Sequence, residues 1–179
     1  MSVSAQMRTA AIWGICAIAA QIVFLTIQGV LQGSFSPMFK FFWFELAVFL
    51  TALSFTIHMW GYSHLGQKVQ NVWLVFSAQG LAFFFAVIGG FVMVAGVMNG
   101  FFAGSGIHLL NGIQGIVFIL FCIPALTFVI SLISTYKRVG ILSVLSVGVV
   151  VFPVAMAIPW LLILFLIPSV ILLFRESKY

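Results

Sequence analysis

Four stretches of this sequence, Thr9 to Leu31, Phe41 to Trp60, Val72 to Met98 and Ile113 to Thr135, are almost free of charge, and each has at least the roughly 20 residues a helix needs to cross a hydrocarbon core. Inside such a core there is no water for the backbone to bond, so each run must satisfy its own amides and carbonyls as a helix. The chain is therefore read as all-α. Composition agrees: 64% of the 179 residues are hydrophobic and 5% are charged, where a soluble domain carries about a quarter charged residues. Seven Lys and Arg, two acids and 21 Phe cannot make a water-facing shell. The net charge of +5 does not point to nucleic acid, because the basic residues stand singly or in pairs at the edges of apolar runs.

The breaks carry turn chemistry: Gln32 to Pro37, Gly61 to Lys68, the glycine-rich Asn99 to Gly112, and Tyr136-Lys137-Arg138. All are short, so neighbouring helices should run antiparallel within one integral membrane domain over residues 1–179. The first apolar run continues unbroken to Leu31, which favours an uncleaved span over a signal peptide. The last block, Val139 to Phe174, would reach roughly 54 Å as one straight helix, against a hydrocarbon core of roughly 30 Å. With Pro153 and Pro159 in its middle, it is read as two short spans, about 139–152 and 159–174, making six crossings with 9–31, 41–60, 72–98 and 113–135. Arg8, Lys68, Lys137, Arg138, Arg175 and Lys178 then share one side, leaving Lys40 opposite, and both termini are expected in the cytoplasm. A single bent final span is the alternative, and it would put Arg175 and Lys178 outside.

Trp13, Trp43, Trp60, Tyr62, Trp73, Tyr136 and Trp160 mostly lie near these boundaries, where amphipathic rings favour the headgroup layer. Gly29 and Gly33, and Gly96 and Gly100, stand four apart, with Gly89 and Gly90 before the second pair, a spacing that lets helices approach closely.

The opening Arg8-Thr9-Ala10-Ala11, the basic turn Tyr136-Lys137-Arg138-Val139-Gly140 and the proline-broken close at Leu172-Leu173-Phe174-Arg175 resemble a group of bacterial six-span membrane proteins of unknown function. The resemblance covers the two ends, less than half the chain. It implies six spans in a bacterial plasma membrane and no activity. The alanine- and glycine-rich first span, Ala10 to Ala20, is also similar in composition to the substrate-binding components of vitamin importers, where small residues dock a partner chain.

Ionisable groups at membrane depth are costly, which makes Glu45 the first candidate for a functional role. Gln28, His108, Asn111 and Gln114 are expected on the same outer side, and Gln21, seven residues before Gln28, lies near the same helix face. Together they outline an outward-facing polar pocket for an unspecified small molecule. The competing reading has Glu45 reaching the interface or pairing with Lys40, and the amides bonding neighbouring helices. His58 and His64, six apart, do not share a helix face, and Cys16 and Cys122 are isolated, so no metal, haem or other cofactor and no disulfide framework is expected. No serine, histidine and acid set suggests nucleophilic catalysis. The expected role is a non-catalytic membrane subunit or accessory protein that packs against other membrane chains or itself. A small-solute transporter or substrate-binding membrane component is the alternative.

Overall fold

A computed structural model describes the backbone of residues 2–31, 37–102, 106–151 and 159–179, with most side chains within 2–26, 46–91, 120–150 and 163–179. The described residues are helical almost throughout: α1 (Val3–Leu31), α2 (Pro37–Lys68), α3 (Val72–Phe102), α4 (Gly106–Ser134), the short α5 (Tyr136–Val139) and α6 (Ile141–Leu145), a 3₁₀ segment (Ser146–Val151) and α7 (Pro159–Glu176). None of the four long helices carries an apolar stripe; they are apolar on all sides, which suits helices packed on one face and bathed in hydrocarbon on the other. Among the described residues, two of them contain segments long and apolar enough to cross a membrane, Val3–Val23 and Val72–Phe91, a composition compatible with a membrane location.

The helices form a ring. In order, α4 packs on α3, α3 on α2, α2 on α1 and α1 on α7, and the 3₁₀ segment with α6 touches both α7 and α4 to close the circle. Aromatic rings fill the middle: Phe55 meets Phe85 at 5.3 Å between centroids, and Phe84 meets Phe121 at 4.8 Å. Leu74, Leu81, Leu132 and Leu166 are fully buried among them.

Helix α2 corrects one expectation. Residues Gly61 to Lys68 are a continuation of α2, and the turn is only Val69 to Asn71. A glycine signals both a chain reversal and a close helix crossing, and here it serves the crossing. A Cβ on Gly61 would stand 2.4 Å from the Ala10 Cβ, so the missing side chain lets α1 and α2 touch backbone to backbone. The helix ends in a Schellman motif: the Asn71 amide donates to the Gly66 carbonyl at 2.8 Å and the Gln70 amide to Gln67 at 3.2 Å, with Gln70 at φ 54. Asn71 then caps α3, its Oδ1 accepting the Leu74 amide at 3.1 Å. Likewise α3 extends to Phe102 and α4 begins at Gly106, which places Asn99 on α3 and His108 and Asn111 on a helix instead of in a loop.

The final block returns to where it starts. Arg175, at the end of α7, donates to the carbonyl of Val139, at the end of α5. Pro159 is the first residue of α7, where its missing amide is harmless, and Pro153 lies outside the described residues. Two other prolines sit inside helices, Pro124 in α4 and Pro168 in α7.

Charge collects at one end of the ring. Lys68 donates to the Glu176 carbonyl at 2.6 Å and to its carboxylate at 3.2 Å; Arg138 donates to the Val69 carbonyl; and Val3, Ser4 and Met7 line a cavity with Lys68, Glu176 and Tyr179. Arg8 follows in the same first turns of α1, while Lys40 is at the far end of α2 from Lys68. The two guanidiniums cap carbonyls that the helix ends leave without an amide.

Candidate functional site

The most buried polar arrangement among the described residues begins with two α2 side chains four apart, His58 and Tyr62, which therefore share a face. That face turns into the ring, and both residues are wholly buried. Opposite them stands Ser169 of α7, also wholly buried and directly after Pro168.

The distances define a chain of hydrogen bonds. His58 Nδ1 lies 2.9 Å from the Ala10 carbonyl, His58 Nε2 lies 2.6 Å from Ser169 Oγ, and the Tyr62 hydroxyl lies 2.5 Å from the same Oγ. A carbonyl can only accept, so Nδ1 carries the proton and donates to Ala10. In the neutral ring Nε2 is then an acceptor, so Ser169 donates to it and Tyr62 donates to Ser169. The Ser146 hydroxyl of the 3₁₀ segment, also buried, is spent on its own helix, donating to the Leu142 carbonyl at 2.6 Å. Three separate segments, α1, α2 and α7, thus meet in one polar knot.

Its access to Ala10 depends on Gly14. In a helix the carbonyl of residue 10 is already bonded to the amide of residue 14, and a side chain there would cover the carbonyl's free side. A Cβ on Gly14 would stand 2.6 Å from His58 Nδ1, so only glycine leaves this carbonyl open to the imidazole. Edge-to-face contacts seal the rest, with Tyr62 on Phe128 at 5.1 Å and 80°, and His58 on Tyr62 at 5.8 Å and 86°.

A Ser–His pair at this distance invites comparison with a nucleophile and its base, and the arrangement was not expected from the sequence. Its third position holds a backbone carbonyl, and Ser169 already both donates and accepts. None of the three has surface through which a substrate could approach. What the geometry does chemically is bond α2, α7 and α1 together in a medium without competing water.

The chain matches no family model, no curated protein and no solved structure.

Of the expected pocket residues, Gln21 is described: its amide donates to Thr51 Oγ at 3.1 Å, and Thr51 donates in turn to the Ala47 carbonyl at 2.8 Å. This joins α1 to α2. The side chains of Gln28, Glu45, His108, Asn111 and Gln114 lie outside the described residues, as do the surroundings of Gly29, Gly33, Gly96 and Gly100. Among the described residues, no three His, Cys, Asp or Glu side chains come together.

One further expectation is corrected. Tyr62 is not a headgroup-layer ring but part of the buried knot, because the hydroxyl that would seek water finds Ser169 instead. Trp60, Trp73 and Tyr136, by contrast, are exposed. Within the stretch Ala10 to Ala20, Ala10, Ala11 and Ala17 are buried in this chain's own contacts, where small size lets α2 and α7 close on α1, whereas Ala19 is exposed. The i, i+4 spacing of His58 and Tyr62 was a legible signal for a shared face. Their partner Ser169 lies 111 residues from His58, and no local pattern marks it.

Proposed function

We propose that this chain is a six-crossing protein of a cell membrane, with both termini in the cytoplasm, acting as a non-catalytic subunit through helix packing with membrane partners or with itself. The reading rests on a division between inside and outside. The described interior is filled with aromatic rings and a polar knot whose groups bond one another, whereas α3 and α4 turn large apolar residues outward, Phe83 at 71% exposure and Ile130 at 67% among them. A solute handler needs a concave site with a few unengaged polar groups and a route in. The solute-handling reading gains nothing from Gln21, whose amide is occupied by Thr51.

The crossing number and orientation draw support from the charged end. Lys68, Arg138, Arg175 and Glu176 bond one another's helix ends, and the Arg175 contact with Val139 brings the final block back to its origin, as two crossings would. Six cations on one side is the pattern of a cytoplasmic face. The resemblance of the two ends to bacterial six-span proteins is in keeping with it. Tags placed before Met1 and after Tyr179 should both be shielded from protease added outside intact cells and both be cut after permeabilisation. Cleavage of one tag in intact cells would refute the even number of crossings.

For the packing role, a photoreactive amino acid placed at Phe83 or Ile130 should give discrete protein adducts in cells, and the same probe at buried Phe128 should give none. Adducts with lipid alone from both exposed positions, together with a small molecule retained one-to-one through purification, would overturn the subunit reading in favour of solute handling.

A further inference from the structure

A second polar feature takes no part in the buried knot. Between the α2–α3 turn and the α4–α5 turn lies a groove of about 420 Å³, lined by Gln70, Asn71, Trp73, Ser134 and Arg138 among others. Its polar residues divide into those already committed and those still free. The Asn71 amide donates to the Ser131 carbonyl and to Ser134 Oγ, both at 3.2 Å, which ties the two turns together and fixes the groove's floor. Arg138 commits one donor to the Val69 carbonyl, out of the five that a guanidinium carries. Among the described residues no carboxylate lies within ion-pairing distance of it; Glu176 is engaged by Lys68 and Arg175. Arg138 is therefore an anchored cation with donors to spare and no counter-charge.

The depth of the groove suggests what supplies that charge. Trp73 is 70% exposed on its rim, and the apolar segment Val72–Phe91 begins there. Groove, indole and guanidinium thus sit where a crossing helix leaves hydrocarbon for the headgroup layer, with exposed Lys137 beside them. A planar guanidinium fork matches two oxygens of a phosphate, and at this level the phosphates within reach belong to lipids. From these observations we infer that the groove is a headgroup site for an anionic phospholipid: Arg138 holds the phosphodiester, the Gln70 amide reaches the polar head, and Trp73 lies along the upper acyl chain. This rests on the reading of the chain as a membrane protein.

The test uses full-length protein in mild detergent, exchanged into dioleoyl-phosphatidylglycerol or dioleoyl-phosphatidylcholine, with retained lipid counted by native mass spectrometry. The wild type should keep phosphatidylglycerol preferentially. Arg138→Gln should lower its retention about twentyfold, the loss expected for hydrogen bonds between a guanidinium fork and a charged phosphate. Lys137→Gln removes the same charge one residue away, outside the groove lining, and should lower retention by no more than about fivefold, the diffuse contribution of one cation near the membrane surface. Arg138→Lys, which keeps the charge and loses the fork, should fall between them. Equal losses in Arg138→Gln and Lys137→Gln would overturn the site in favour of diffuse surface charge. Displacement of the lipid by equimolar inorganic phosphate would overturn the lipid assignment in favour of a free-anion site. Equal retention of both lipids by a detergent-dependent protein would defeat the site alone, whereas recovery of the protein from water without detergent would defeat the membrane reading itself.

Discussion

Gly61→Ala is expected to destabilise this protein by about 3 kcal/mol, the upper range for forcing one extra carbon into a packed contact. The size follows from what the new methyl meets. It would lie 2.4 Å from the Ala10 Cβ, an atom fixed to its own backbone, so no rotamer change can relieve the clash. The Leu173 methyl at 3.0 Å could swing aside; Ala10 cannot, and α1 must move off α2 as a unit. Because Ala10 also carries the carbonyl that orients His58, the same displacement would loosen the buried knot. The unfolding midpoint in detergent should fall by roughly 6–12 °C. Gly90→Ala provides the comparison: nothing lies within 4 Å of its added carbon, and in a helix alanine is favoured over glycine by up to about 1 kcal/mol. Equal midpoints for the two variants would mean that α1 and α2 do not cross at Gly61.

The second large effect concerns the knot itself. Ser169→Ala deprives both the Tyr62 hydroxyl and His58 Nε2 of a partner in a place water cannot reach, at a cost of about 2 kcal/mol. His58→Leu keeps much of the volume but strands the Ser169 hydroxyl, and should cost about 2–3 kcal/mol. The Ala10 carbonyl is less affected, since it retains its helical bond. Together the two changes remove a bond that each alone already breaks, so the double variant should be more stable than the sum predicts, by about 1 kcal/mol. Strict additivity, within about 0.3 kcal/mol, would show that His58 and Ser169 are not bonded.

The reading of the chain as helical followed from a property that adds up residue by residue. Runs such as Val72 to Met98 carry so little polarity that their backbones must bond internally, whichever neighbours they meet. Asn71, directly before that run, caps α3 and was not singled out in the sequence. Glycine was read less well. At Gly61 and Gly66 it suggested a turn, yet α2 continues through both, since the same absence of a side chain permits either a reversal or a crossing and only the partner helix decides. Tyr62 failed for a related reason: its ring and hydroxyl suit the headgroup layer equally well as a buried site with an acceptor.

What the sequence determined by itself was the all-helical class and the places where charge could not go, because the cost of burying an unbonded amide or a lone charge depends on the medium and not on the fold. The tertiary structure alone decided that His58 meets Ser169 across 111 positions, that Gly14 uncovers the Ala10 carbonyl, and that Arg138 caps α2. Hydrogen bonds are short and directional, so which donor finds which acceptor is settled only when the ring closes and brings distant segments within about 3 Å of one another.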